Sequence, residues 1–342
     1  CVAWDNLKAP MRCTQNPTKG EEWRKGWHPE KIPKKVTDGL ILVVGGGPAG
    51  LEAARAAGER GYDIVLAEST NTLGGRINYE SKMPGLSTWG RVRDYRTYQL
   101  SQMSNVNIYR ESHLSVDQIL EFDATHVAIA TGSKWRRDGY GRTHQFPISG
   151  TEHTHVYTPD DIMAGLSPKG PVFIYDDDHY YIASVIAEKL VSDGHHVIFS
   201  TPESIVSAWT TLTMEQHRIQ KRMIELGVEI IPLHLLTSVK KKSVCLACKY
   251  TGIQKEVSIE SVVMVTSRIP NDLLFKELKS NLRKVRHPHI TTIDRIGDCH
   301  GPATIASAVY EGHRFAREIG EERKDINFKR EVTQLSKSFR LP

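Results

Sequence analysis

From Gly39 the apolar run LILVV passes into the glycine turn GGGPAG, an alanine-rich stretch LEAARAAGERGY and a second apolar run DIVLA ending in ES. Uninterrupted apolar runs of this length predict strands buried on both faces, with a helix between them, so the segment reads as a β-α-β unit of a parallel sheet. A helical stretch near STWGRVRDYRTYQLSQM comes next, followed by a strand at NVNIY, a helix around Val116–Leu120 and a strand at THVAIATG. The loop through GRTHQFPISG leads to GPVFIYDDDHYYIASVIAEKLVSDGHHVIFST, which again reads strand, helix, strand. Then come a helix (MEQHRIQKRMIELG), a strand (VEIIPL), hairpin-like strands across Lys240–Arg268, and a closing strand, turn and long helix in ITTIDRIGDCHGPATIASAVYEGHRFAREI. Residues 1–38 show neither period and read as an irregular connector. The expected organisation is two halves of one kind, the second inserted in the first: residues 39–155 plus 288–342 around residues 156–287.

At 342 residues the chain is long enough for two separate cores. No apolar run approaches the length of a membrane span, so no membrane association is expected. The net charge of +5 is spread without a basic stripe or interleaved aromatics, which argues against nucleic-acid binding. Five cysteines are too few for a disulfide scaffold, and a cytoplasmic location is expected. Cys245 and Cys248 lie on a predicted strand, where a spacing of three points them to opposite faces; the pair reads as structural. Cys299 reads as a packing residue.

The turn VVGGGPAG carries the strongest chemistry. Gly45, Gly47 and Gly50 stand in G-x-G-x-x-G spacing directly after a strand, with Pro48 and Ala49 opening the helix. In such a unit the first glycine permits the tight turn, the second lets the backbone approach a pyrophosphate, and the third lets helix and strand pack closely. The helix N-terminus then offers free N–H groups to the anion. Glu68, at the end of the second strand, is placed to accept hydrogen bonds from an adenosine ribose and disfavours a 2′-phosphate. Three further glycine-bearing turns follow: LGGR with Gly75 and Arg76, ATG with Thr131 and Gly132, and IGD with Asp298. Their order along the chain resembles the flavoproteins with two dinucleotide-binding domains, in which the last acidic residue meets the flavin's ribityl or pyrophosphate region. The fold class expected is therefore α/β with two Rossmann-like domains of the FAD/NAD(P)-binding type.

The second unit, FIYDDDHYYIAS, has Asp176, Asp178 and Tyr181 where the first has glycines. Side chains fill the space of a pyrophosphate and carboxylates face it, so no pyridine nucleotide is expected there. DDDH offers metal-ligand types, but three carboxylates at a strand-to-helix junction read better as a helix cap and a solvated edge.

Taken with RCTQNP, GEEWRKGWHPEK, MPGLSTWGRVRDY and IYDDDHYY, these pieces resemble the trimethylamine, dimethylamine and histamine dehydrogenase class, which is related to 2,4-dienoyl-CoA reductase. The resemblance runs over nearly the whole chain and implies a portion of a longer polypeptide. The implied parent has a preceding TIM barrel with FMN, missing here, and a 4Fe-4S cluster whose third and fourth ligands would be Cys1 and Cys13, with eleven residues between them. Residues 1–38 would then be the end of the iron–sulfur loop and a connector. The implied activity is oxidation of a small amine, with electrons passed to an electron-transfer flavoprotein by a homodimer. ADP or FAD is implied at the first glycine turn, and no catalytic residue lies in this chain. The degenerate second turn disfavours the other branch, an FAD- and NAD(P)H-dependent enoate or dienoyl-CoA reductase; a stand-alone ADP-binding module without redox work is a further alternative. Trp89, Arg91 and Tyr95 read as ordinary helix surface and core, with proximity to the electron exit as the sharper alternative.

Overall fold

The computed structural model describes residues 11–21, 27, 31–284 and 289–320. The strands are β1 (Leu40–Val44), β2 (Asp63–Ala67), β3 (Val106–Tyr109), β4 (Ala124–Ile129), β5 (Ser133–Trp135), β6 (Val156–Tyr157), β7 (Val172–Asp176), β8 (Val197–Thr201), β9 (Glu229–Pro232), β10 (His234–Val239), β11 (Ser243–Cys248), β12 (Gln254–Ser258), β13 (Ser261–Val265), β14 (Arg268–Pro270) and β15 (Thr292–Arg295). The α-helices are α1 (Pro48–Arg60), α2 (Ile77–Glu80), α3 (Arg91–Ser101), α4 (Val116–Glu121), α5 (Pro159–Met163), α6 (Ile182–Ser192), α7 (Gln216–Glu225), α8 (Leu273–Lys284) and α9 (Ile305–Glu318).

Two five-stranded sheets, each parallel throughout, form the frame, in the orders β15-β4-β1-β2-β3 and β6-β13-β7-β8-β9. In both the central strands are apolar on both faces because helices or a further sheet cover each side. The first sheet packs α1, α9 and Leu100 of α3 on one face, and Ile119 and Leu278 of α4 and α8 on the other. The second packs α6 and α7 on one face, while the antiparallel sheet β10-β11-β12 covers the other through Leu236, Val244, Leu246 and Val257.

Pro48 opens α1 with its fixed φ, and Gly61 ends it in the left-handed region at φ +95°, where its N–H reaches the carbonyls of Ala57 and Gly58. Helix α9 lies against α1 so closely that a Cβ on Gly312 would stand 2.1 Å from the carbonyl oxygen of Ala49. The alanines of α1 and this single glycine allow that approach.

Two expectations need correction. SVVMV at β13 is not part of a hairpin: all five residues are buried, and the strand lies parallel between β6 and β7 in the second sheet. Its unbroken apolar run is the signature of such a central strand. The short strands β5 and β14, absent from the sequence reading, pair antiparallel and set Arg268 opposite Trp135. Cys245 and Cys248 lie on β11 opposite Glu256 and His234 respectively, both unbonded to another cysteine. No helix among the described residues is long and apolar enough to cross a membrane.

Candidate functional site

The first glycine turn shows three different spatial demands. Gly45, at φ +109°, lies where a Cβ would stand 2.5 Å from the carbonyl oxygen of Ala130, and a Cβ on Gly50 would meet the Gly45 oxygen at 1.9 Å. Those two glycines are required by the protein's own packing. Gly47 is different: a Cβ there would meet nothing within 4 Å, although its φ of −75° suits any residue. Space beside Gly47 thus faces away from the described residues around it, at the N-terminal end of α1, where no side chain among the described residues caps the backbone N–H groups.

Glu68 braces this turn. Its Oε2 accepts from Gly46 N–H at 2.7 Å, and its Oε1 from the Thr70 N–H and hydroxyl, both at 2.8 Å. The LGGR loop closes the other side: Gly74 N–H donates to the Gly46 carbonyl at 2.8 Å, and a Cβ on Gly75 would lie 3.2 Å from Gly47 Cα. Gly45, Gly47, Pro48, Ala49, Gly50, Glu68 and Gly75 are therefore brought together around one turn.

Beyond it, charged side chains tie the two sheets. Arg76 pairs with Asp160 at 2.7 Å and donates to the Ser133 carbonyl at 2.7 Å. Asp298 accepts from Ser133 Oγ at 2.8 Å, from Ala303 N–H at 3.1 Å and from Arg268. Thr131 donates to the Asn271 carbonyl at 2.5 Å, and Gly132, at φ +74°, opens the turn into β5. Burial pushes the nearby Glu80 carboxyl up to about 7 against the attraction of Arg76 and Arg268.

At the second turn the expected helix cap and solvated edge are not found. Asp176 and Asp177 are fully buried, and the turn residue at the start of α6 is Tyr181, with no side-chain cap. Asp177 is held by the Thr143 hydroxyl at 2.6 Å, the Thr143 N–H at 2.8 Å and His179 Nε2 at 3.4 Å. His179 adopts φ +64°, and its N–H donates to Asp176 Oδ1 at 2.8 Å. The carboxylates turn inward because the loop 141–150 lies across them: a Cβ on Gly141 would stand 2.3 Å from Asp177 Oδ2. The Tyr181 hydroxyl donates to Glu215 and lies 2.9 Å from the Thr213 hydroxyl, with its ring edge-on to Trp89. Trp89 thus packs inward, whereas Arg91 and Tyr95 are exposed on α3. Among the described residues no group of three or more His, Cys, Asp or Glu is arranged to hold a metal ion.

Burial pushes the Asp176 carboxyl up to about 7, with the neighbouring carboxylates adding to it and His179 opposing. A raised folded pKa means the group favours the fold below its ordinary 3.8 and loses that contribution as pH rises through about 7. Asp176→Asn is therefore expected to raise the midpoint of thermal unfolding more at pH 8 than at pH 5, where only part of the contribution has been lost. Equal shifts at both pH values would exclude this cause.

A buried polar cluster escaped the sequence reading. Glu52 of α1 bonds Arg55 Nη2 at 2.8 Å, Arg96 Nε at 2.7 Å and His313 Nδ1 at 2.8 Å, while Arg317 Nε donates to His313 Nε2 at 2.9 Å. An arginine donor at Nε2 assigns the neutral tautomer protonated on Nδ1. Burial likewise lowers the His313 pKa. Charged letters on the buried side of an alanine-rich helix, GLEAAR, were the available signal. Cys13 is a free, partly exposed thiol in the segment strapped to this cluster, whereas Cys1 lies outside the described residues.

The family model for FAD-dependent oxidoreductases matches residues 41–133, and that for the OYE-like second alpha/beta domain matches 157–260. Dimethylamine dehydrogenase of Hyphomicrobium sp. is 36% identical over 93% of this chain and 47% of its own length. The structure of histamine dehydrogenase from Rhizobium sp. 4-9 superposes with a TM-score of 0.94 at 48% identity, covering 98% of this chain and 52% of that one. That of 6-hydroxypseudooxynicotine amine oxidase from Pseudomonas geniculata N1 gives 0.90 at 42%, covering 94% and 48%. The chain spans about half the length of these relatives. Along nearly its whole length this chain shares an α/β fold of parallel sheets with about half of each of these amine dehydrogenases and this amine oxidase.

Proposed function

We propose that this chain is the nucleotide-binding and electron-transfer portion of an FMN and 4Fe-4S amine dehydrogenase that oxidises a small amine. The observation that carries the reading is the asymmetry of the twin turns. Gly47 leaves room for a diphosphate at the first, whereas Asp176, Asp177 and loop 141–150 fill the second. A portion that took electrons from NAD(P)H would need that second turn open.

The residues fit an adenosine diphosphate: Gly47 and the free N–H groups of α1 for the phosphates, Glu68 for the ribose. ADP is preferred to FAD because the filled second turn leaves no place for NAD(P)H to reduce a flavin here, so the nucleotide need only be structural. Cys13 fits a thiolate ligand, since it is a free, partly exposed cysteine whose sulfur accepts the Gln15 N–H at 3.4 Å. FMN would supply the amine oxidation and the cluster a one-electron relay; neither requires a catalytic acid or base from this chain. The full polypeptide is read as a cytoplasmic homodimer that passes electrons to an electron-transfer flavoprotein. Its barrel and two further cluster cysteines would precede Cys1, and the domain limits given above hold as part of the proposal.

Heating the purified protein and separating the released nucleotide tests the reading. ADP without a yellow chromophore, and no flavin reduction on adding NADPH, is the expected result. Released FAD that NADPH reduces would move the chain to the enoate and dienoyl-CoA reductase branch. A gene that encodes no barrel and no cysteines before Cys1 would leave a stand-alone ADP-binding module.

A further inference from the structure

Arg96 is fully buried, yet it reaches three elements. Its Nε pairs with Glu52 of α1 at 2.7 Å, its Nη1 donates to the Val92 carbonyl at 3.0 Å, and its Nη2 donates to the carbonyl of Gln15 at 3.4 Å. The N–H of the same Gln15 donates to Cys13 Sγ at 3.4 Å. A continuous chain of polar contacts therefore runs from the helix that starts at the glycine turn to the thiol.

The surrounding segment is held at several other points. Arg12 pairs with Glu21 at 2.7 Å and lies 3.8 Å from the ring centre of Tyr310 on α9. Asn16 Oδ1 accepts from the Thr18 N–H and hydroxyl at 3.0 and 2.8 Å. None of these contacts touches residue 15; Arg96 does.

We propose that Arg96 is a positioning residue for Cys13: anchored by Glu52, it fixes residue 15 so that the Gln15 N–H is presented to the Cys13 sulfur, and so raises the reduction potential of a cluster ligated there. This rests on the reading of Cys13 as a 4Fe-4S ligand. Backbone N–H donors to a cluster's sulfurs stabilise its more negative, reduced state, so the potential rises with each such bond. Removing the anchor frees residue 15 and weakens that bond without removing a ligand.

The test uses the enzyme expressed from its complete gene. Iron and acid-labile sulfide are measured first, because a wild-type protein without them overturns the reading of Cys13 itself. In the cluster-loaded protein, Arg96→Lys keeps the charge beside Glu52 but cannot span to Gln15, and Gln15→Pro removes the N–H directly. Both are expected to keep full iron content and to shift the midpoint in a potentiometric titration followed by electron paramagnetic resonance to more negative values. The double variant is expected to shift no further than Gln15→Pro alone, since Arg96 acts through that N–H. An unchanged midpoint in Arg96→Lys, or additive shifts in the double variant, overturns the proposal. Should Arg96→Lys not fold, an unchanged midpoint in Gln15→Pro overturns it equally.

Discussion

Gly47→Ala is expected to keep the fold and lose the nucleotide. A Cβ at this position meets no protein atom within 4 Å, and the backbone at φ −75° accepts any L-residue. Stability should hold or rise by about 0.4–1 kcal/mol, through the reduced freedom of the unfolded chain. The methyl instead enters the space we assign to the diphosphate. An intrusion of that size costs about 1–3 kcal/mol, or roughly 5- to 150-fold in affinity for ADP. Gly50→Ala provides the contrast. Its Cβ would stand 1.9 Å from the Gly45 oxygen, so α1 must move off β1, and both stability and binding should fall. Calorimetric titration with ADP beside thermal unfolding separates the two: if Gly47→Ala binds ADP like the wild type, the phosphates do not sit at this turn.

Glu52→Gln is expected to destabilise the chain by about 3–5 kcal/mol, the usual cost of removing one partner from a buried ion pair. Arg96 would be left buried without its counter-charge, and Arg55 and His313 would each face a neutral amide. The pH dependence has a definite sign. Burial alone would raise the Glu52 carboxyl, but Arg96, Arg55 and the His313 bond outweigh it and hold it well below its ordinary 4.5. A depressed folded pKa makes the contribution complete above about pH 4.5 and loses it as pH falls toward the depressed value. The variant should therefore show a flatter decline of stability below that pH in denaturant titrations. Because Arg96 also reaches Gln15, segment 11–21 should become more open to proteolysis in the variant, at sites the wild type protects. Wild-type stability at pH 7 with unchanged cleavage would show that the cluster is not what holds the strap.

Much of the frame and the backbone of the first glycine turn were legible from the letters alone. Backbone demands are local, so the G-x-G-x-x-G spacing and the apolar runs announced a tight turn between buried strands in a few adjacent letters. SVVMV shows the limit: an apolar run announces a buried strand, but not which neighbours it pairs with, and here the pairing was parallel and long-range. The aspartates of the second turn show another. Their letters suggested an exposed edge, and only the loop 141–150, folding back from elsewhere in the chain, made them buried acceptors.

What the sequence determined by itself is the α/β frame and the opposition between an open glycine turn and an acid-filled one, since both follow from residue size and backbone freedom at single positions. The tertiary structure alone decided that Glu52, Arg96 and His313 share one buried cluster, and that Arg96 reaches toward Cys13. Within that cluster Glu52 and His313 are separated by 261 positions along the chain. Their charges are tolerable inside the protein only because each finds its partner at hydrogen-bonding distance, a condition that folding alone creates.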